Sequence, residues 1–192
     1  MNPKATLYMA NGSKVVIELL PEYAPNTVNS FIFAAKNGYL DHHTIERIVP
    51  GNWIDMSYRA FNHKECQYLI PNEFELNPDV VPLDSHPGCV CMGGYDNGIA
   101  SCEFFFPLRD CPDHKGIYPV FGRVLEGMEE IWRLEKVETV PVDFPIPGVE
   151  VNEPVEPQII EKVELELYGM EYPEPIKVEN AEKPVCWPEF EE

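Results

Sequence analysis

Basic residues are scarce in this chain: 14 lysines and arginines stand against 33 aspartates and glutamates, giving a formal net charge of −19 over 192 residues. Such an excess repels phosphate backbones and anionic lipid surfaces, so no nucleic acid and no membrane is expected as a partner. Long apolar runs are missing as well. The first of them, Val15 to Leu20, is interrupted by Glu18 and is too short to cross a bilayer. The polar N-terminus Met1-Asn2-Pro3-Lys4 has nothing of a signal peptide, and a cytoplasmic location is expected. Paired Cys-x-x-Cys motifs at ligand spacing are also lacking, although there are six cysteines, at positions 66, 89, 91, 102, 111 and 186. Cys89 and Cys91 share one face of a strand and could begin a soft-metal site with Cys102 or Cys111, but apolar filling of a sheet wall is the better reading. Free thiols and no metal or cofactor are therefore expected, since a chain with 44% apolar residues needs no disulfide staples.

What is present is a succession of short strands. Ala5–Met9 and Lys14–Leu20 alternate around Asn11-Gly12, a hairpin dipeptide. After Pro25, Asn26-Thr27 offers a helix cap, and Val28, Phe31, Ile32 and Ala35 recur at helical spacing until Gly38. Strands are expected over Thr44–Val49 and Trp53–Tyr58, at Cys89–Met92 and Cys102–Phe106 around a glycine-rich 93–98 loop, over Tyr118–Leu125, and at Ile159–Leu167. Residues 59–87 lack periodicity and carry four prolines, so they are expected as loop excursions. A second helix is expected over Glu126–Lys136, burying Met128, Ile131 and Trp132. His42-His43 is expected to be solvated. Strands flanked by two helices without a βαβ rhythm point to a mainly β protein, an antiparallel barrel capped by two α-helices. One domain over 1–168 is expected, with a proline-rich surface loop at 141–157 and an acidic tail from 169 to 192. Disorder is the default for that tail, although Val185, Trp187 and Phe190 are able to dock.

The segments Ile45-Glu46-Arg47-Ile48-Val49-Pro50-Gly51 and Cys102-Glu103-Phe104-Phe105-Phe106 carry the chemistry. An arginine between β-branched residues on a strand has one defined direction for its guanidinium, and of Phe104 and Phe105 only one can face the core. Here the sequence resembles the cyclophilin family of peptidyl-prolyl isomerases, through the arginine strand, Ala24-Pro25-Asn26-Thr27-Val28, Gly38-Tyr39, Glu73-Phe74, Val120-Phe121-Gly122-Arg123-Val124 and Glu126-Gly127-Met128. The resemblance spans about residues 5–168 and implies a closed antiparallel barrel that isomerises Xaa-Pro bonds in peptides and folding proteins.

Rotation about a prolyl amide meets a barrier of about 18–20 kcal/mol because resonance gives the C–N bond double character. A donor aimed at the developing nitrogen lone pair favours the twisted transition state over the planar ground state, and an always-charged arginine suits that role. The resemblance places Arg47 as the catalytic group. Phe105 becomes the floor of the proline pocket, Met92, Gly93 and Gly94 the peptide-pairing edge, and Trp53, Asp55, Glu103, His114 and Tyr118 the remaining substrate contacts. Several of these depart from the family pattern. Asn52 and Trp53 stand where it has phenylalanine and methionine, Asp55 and Glu103 where it has glutamines, Asp113 and His114 where it has tryptophan and leucine, and Tyr118 where it has histidine. A carboxylate at Asp55 pairs with Arg47 and weakens its field, which favours the alternative of a proline-peptide-binding module without catalysis. The cyclic peptide bound by family members is expected to bind weakly. Charge complementarity offers a minor route to selecting basic proline peptides, and the oligomeric state is not set by the sequence.

Overall fold

The computed structural model describes residues 1–56, 59 and 62–190. The chain opens with β1 (Lys4–Met9) and β2 (Lys14–Leu19), followed by α1 (Pro25–Lys36). Three short strands come next: β3 (His43–Thr44), β4 (Arg47–Val49) and β5 (Trp53–Asp55). The expected strand over 53–58 thus ends early, and positions 57 and 58 lie outside the described residues. Within the irregular stretch the chain forms β6 (Leu69–Ile70) and α2 (Glu73–Leu76). A long hairpin of β7 (Cys89–Tyr95) and β8 (Gly98–Pro107) follows, then β9 (Val120–Glu126), α3 (Met128–Glu135), β10 (Thr139–Pro141), β11 (Asn152–Pro154) and β12 (Ile159–Glu166).

Among the described residues, the strands other than β10 and β11 form one curled antiparallel sheet in the order β3-β12-β1-β2-β9-β7-β8-β5-β4, with β6 added on β8. Its first and last strands are consecutive in the chain. The curl is therefore completed covalently through Ile45-Glu46 and not by a ladder, which corrects the expected closed barrel to a half-barrel. Proline supplies the physical reason. The Ile45 N–H still reaches the Gln158 carbonyl at 2.7 Å, but Pro157, next along that edge, has no N–H to extend the pairing.

One face of the sheet packs on α1. Phe104 and Phe106 of β8 meet Phe31 and Phe121 there, with Phe31 and Phe104 edge to face at a centroid distance of 5.3 Å. Three α-helices are present among the described residues rather than two, because α2 forms inside the stretch expected to be loop. In α3, Ile131 and Leu134 are buried while Trp132 points outward, contrary to expectation.

The start of α1 departs from the expected Asn26-Thr27 cap. Pro25, with its φ already helical, occupies the first turn, so the helix begins earlier and Ala24 is the capping residue with no side-chain bond. The orphan donors turn instead to Glu73 of α2, which is wholly buried. Its carboxylate accepts from the Asn26 and Thr27 N–H groups at 3.3 and 2.9 Å, from the Thr27 hydroxyl at 2.7 Å and from Asn77 Nδ2 at 2.7 Å. Negative charge at the positive end of the helix dipole adds to these bonds. Glu73→Ala is expected to cost about 3 kcal/mol, since it strands buried donors. Glu73→Gln, which retains acceptor capacity, is expected to lose less than half of that in urea titrations.

Asn26, freed from capping, pairs its side-chain amide with both backbone groups of Ile176, at 3.0 and 2.8 Å. The C-terminal segment from this point is packed on the sheet, which overturns its expected disorder. Val178 N–H bonds to the Leu69 carbonyl, Gln67 bridges Lys183 and Pro188, and Cys186 and Trp187 are buried. Its acidic composition remains compatible with folding because Pro175, Cys186 and Trp187 are buried while the glutamates at 171, 174, 179, 182 and 189 stay in solvent. His43 is likewise buried rather than solvated, and burial lowers its pKa to about 4. All six cysteines are buried and unpaired.

Candidate active site

The groove is a product of register. Arg47 faces Asp55 and Val49 faces Trp53 across the β4-β5 hairpin, Asp55 lies opposite Phe105 of β8, Phe105 opposite Cys91 of β7, and Cys91 opposite Val120 of β9. Directly paired residues share a face, so one row of side chains crosses five strands on the side away from α1. Strand alternation sends Phe104 and Phe106 to the core and leaves Glu103 and Phe105 lining the groove.

An aromatic box stands on this row. Phe105 contacts Trp53 at a centroid distance of 6.3 Å, His114 at 5.7 Å and Tyr118 at 6.0 Å, all three edge to face. His114 also lies 4.9 Å from Tyr118 and 5.6 Å from Trp53. Cys89, Cys91 and Val120 form its floor. Burial lowers the His114 pKa and raises those of Tyr118, Cys89 and Cys91, so all four groups stay neutral near pH 7 and the box is uncharged. Raised thiol pKa values also keep the two cysteines unreactive.

Arg47 sits at the edge of the box with 14% of its side chain exposed. Nη1 donates to Asp55 Oδ2 at 2.9 Å, Nε donates to the Glu150 carbonyl at 2.8 Å, and the guanidinium carbon lies 5.6 Å from the Trp53 ring centre. Among the described residues Nη2 has no hydrogen-bond partner, so one arm of the fork remains for a ligand. Burial pushes the Asp55 carboxyl up to about 6 against the opposing pull of Arg47. The proline-rich segment expected as a surface loop supplies the Glu150 carbonyl, and Asn152 fastens it to β4 through the Ile48 carbonyl at 3.1 Å. Phe144 and Ile146 of the same segment line the groove. Nothing in the sequence between the prolines marked these contacts.

From the box the groove runs past Gly93, Gly94 and Glu103 to the β7-β8 turn, enclosing a cavity of about 810 Å³. A Cβ on Gly93 would come within 3.0 Å of the Glu103 carbonyl and one on Gly94 within 3.1 Å of the Gly98 carbonyl, so the two glycines permit the ladder to bulge beside the groove. Glu103 is buried and held by the Tyr95 hydroxyl at 2.7 Å and by the Trp187 indole. Of the sequence-predicted residues, Arg47, Trp53, Asp55, Gly93, Gly94, Glu103, Phe105, His114 and Tyr118 all border this cavity. Met92 does not: alternation turns it into the core beside Phe104. Asn52 ties to Arg109 at 2.8 Å, and Asp113 is exposed. Tyr95 and Trp187 were not anticipated at the site. Among the described residues no three His, Cys, Asp or Glu side chains gather as a metal site, and no helix is long and apolar enough to cross a membrane.

Comparison with known proteins finds relatives in sequence and in fold. The chain is 26% identical over 150 residues to peptidyl-prolyl cis-trans isomerase-like 1 of Gibberella zeae, covering 78% of this chain and 91% of the relative. It is 28% identical over 141 residues to the isomerase ppi1 of Schizosaccharomyces pombe, covering 72% and 89%. A third relative, CYP71 of Arabidopsis thaliana, is longer. The match to it is 28% identical over 135 residues and spans 70% of this chain but only 21% of the relative. In fold, the chain superposes on a Cryptosporidium parvum cyclophilin-type isomerase solved in the presence of the dipeptide Ala-Pro. That match has a TM-score of 0.61 and 18% identity and covers 83% of this chain and 96% of the other. Residues 5–165 match the profile of the cyclophilin type peptidyl-prolyl cis-trans isomerases, and the chain belongs to that family.

Proposed function

We propose that this protein catalyses cis–trans rotation of Xaa-Pro bonds in peptides and in unfolded protein segments. The observation that carries the reading is the Arg47 Nη2, unengaged among the described residues, beside an uncharged aromatic box that opens on the groove. The ring enters the box, where Phe105 and its neighbours replace water. The guanidinium then donates to the prolyl nitrogen as it becomes pyramidal, an interaction that exists only in the twisted state. No nucleophile, proton transfer or cofactor is required. Magnetisation transfer on an Ala-Pro peptide tests the proposal: exchange faster with the intact protein than in buffer is expected, whereas equal rates alongside measurable binding would leave a peptide-binding module. Six buried, unpaired thiols support a reducing, cytoplasmic setting and a role on folding chains there.

Asp55 gives the reaction a pH dependence of definite sign. Above about pH 6 its carboxylate is ionised and offsets part of the Arg47 charge; below that value it is neutral and the charge is presented in full. The value of kcat/KM is expected to rise about three- to tenfold between pH 7.5 and 5. A Asp55→Gln variant should be fast and flat across that range. A flat wild-type profile would contradict this role. The same carboxyl has a folded-state pKa above its ordinary value of 3.8. Its contribution to stability is therefore complete below about pH 4 and fades as pH rises through 6.

A further inference from the structure

The C-terminal segment lies beyond the stretch shared with the family, residues 5–165, yet it builds one wall of the groove. Its anchor is Trp187, 6% exposed, whose indole N–H donates to Glu103 and, at 3.2 Å, to the Tyr95 hydroxyl, while the two rings stand edge to face at 5.9 Å. Asn97, in the β7-β8 turn, donates to the Glu182 carbonyl at 3.0 Å, and Lys183 Nζ donates to Gln67 Oε1 at 2.9 Å. Between these ties, Glu182, Lys183, Pro184 and Val185 border the same cavity as the aromatic box, with Val185 75% exposed.

Charge along the groove is unbalanced. Among the described residues that line it, Asp55, Asp96, Glu103, Glu150 and Glu182 stand against Arg47 and Lys183, with Arg47 already paired with Asp55. Asp96 and Glu182 are exposed carboxylates that both border this cavity, and Asn97, next to Asp96, holds the Glu182 carbonyl. An extended peptide whose proline fills the box passes this wall on one side, and a cationic side chain there meets two carboxylates beside the apolar face of Val185.

Resting on the isomerase reading of the groove, we propose that the segment Glu182–Val185, positioned by Trp187, is a specificity element that selects proline segments with lysine or arginine near the proline. It acts on the flanking residues; Arg47 acts on the bond.

The test uses nine-residue peptides centred on Ala-Pro whose flanking positions are lysine, glutamine or glutamate, with affinity read by calorimetry and rate by magnetisation transfer. Lysine peptides are expected to bind about tenfold more tightly than glutamate peptides at low salt, with the ratio falling in 0.5 M salt. The double variant Asp96→Asn/Glu182→Gln should reduce that ratio to about two- to threefold. Glu161→Gln/Glu166→Gln, on β12 across the sheet, should leave it intact. Equal loss from both double variants would assign the preference to net charge and overturn the proposal, as would equal affinity for all three peptides. A Trp187→Ala variant that gains affinity for every peptide would show a plug rather than a wall and would overturn it too. Binding with lysine preference but without faster exchange would sink the isomerase reading while sustaining the specificity element.

Discussion

Replacing Arg47 by alanine is expected to lower kcat/KM on Xaa-Pro peptides by about 10²–10³, the loss typical when one preorganised donor to a transition state is removed. That factor corresponds to about 3–4 kcal/mol of a barrier near 18–20 kcal/mol. Substrate affinity should change far less, because in the proposed complex the proline ring packs on Phe105, Trp53, His114 and Tyr118, of which only Trp53 lies against the guanidinium. The loss therefore belongs in kcat. Arg47→Lys should recover little of it. An ammonium is a point charge without the fork that lets Arg47 grip Asp55 with Nη1, the Glu150 carbonyl with Nε and a substrate with Nη2. Protease-coupled and magnetisation-transfer assays of the three proteins decide the matter, and an alanine variant as fast as wild type would remove Arg47 from the mechanism.

Trp187→Ala is expected to destabilise the protein by about 3–5 kcal/mol, the usual range for deleting a buried tryptophan. Two costs combine. The cavity left beside Tyr95 loses the ring's contacts, and the buried Glu103 carboxylate loses the indole donor. Trp187→Phe retains most of the volume but not the N–H, so it isolates the second cost at about 1–2 kcal/mol. Guanidinium titrations of the full chain measure both. A Trp187→Ala change of under 1 kcal/mol would show that the C-terminal segment contributes no stability to the domain.

Much of the architecture was legible because local pattern and global fold agree. Alternation over Ala5–Met9 and Lys14–Leu19 about Asn11-Gly12 set the first hairpin, and alternation again separated Phe104 from Phe105. Failures came where a distant group overrode a local signal. Asn26-Thr27 reads as a cap, yet Pro25 shifts the start of α1 and Glu73, 47 positions on from Asn26, satisfies its donors. The tail reads as disordered because seven glutamates and four prolines dominate its composition. Composition cannot show that Tyr95 and Glu103 present a buried receptor for one tryptophan. Met92 lies one residue before the groove edge, and a single step along a strand reverses the face.

Strand periodicity in the residues alone pointed to the antiparallel class, and the resemblance to the family, carried by motifs short enough to read along the chain, singled out Arg47 and Phe105. Tertiary structure decided what surrounds them: the Glu150 carbonyl on Arg47, the three aromatic neighbours of Phe105, and the wall that Trp187 anchors. Such contacts join separate elements, from about ten positions apart for Phe105 and His114 to about a hundred for Arg47 and Glu150. Their pairing is fixed by strand register and by competition for buried hydrogen-bond partners, neither of which leaves a local trace in the sequence.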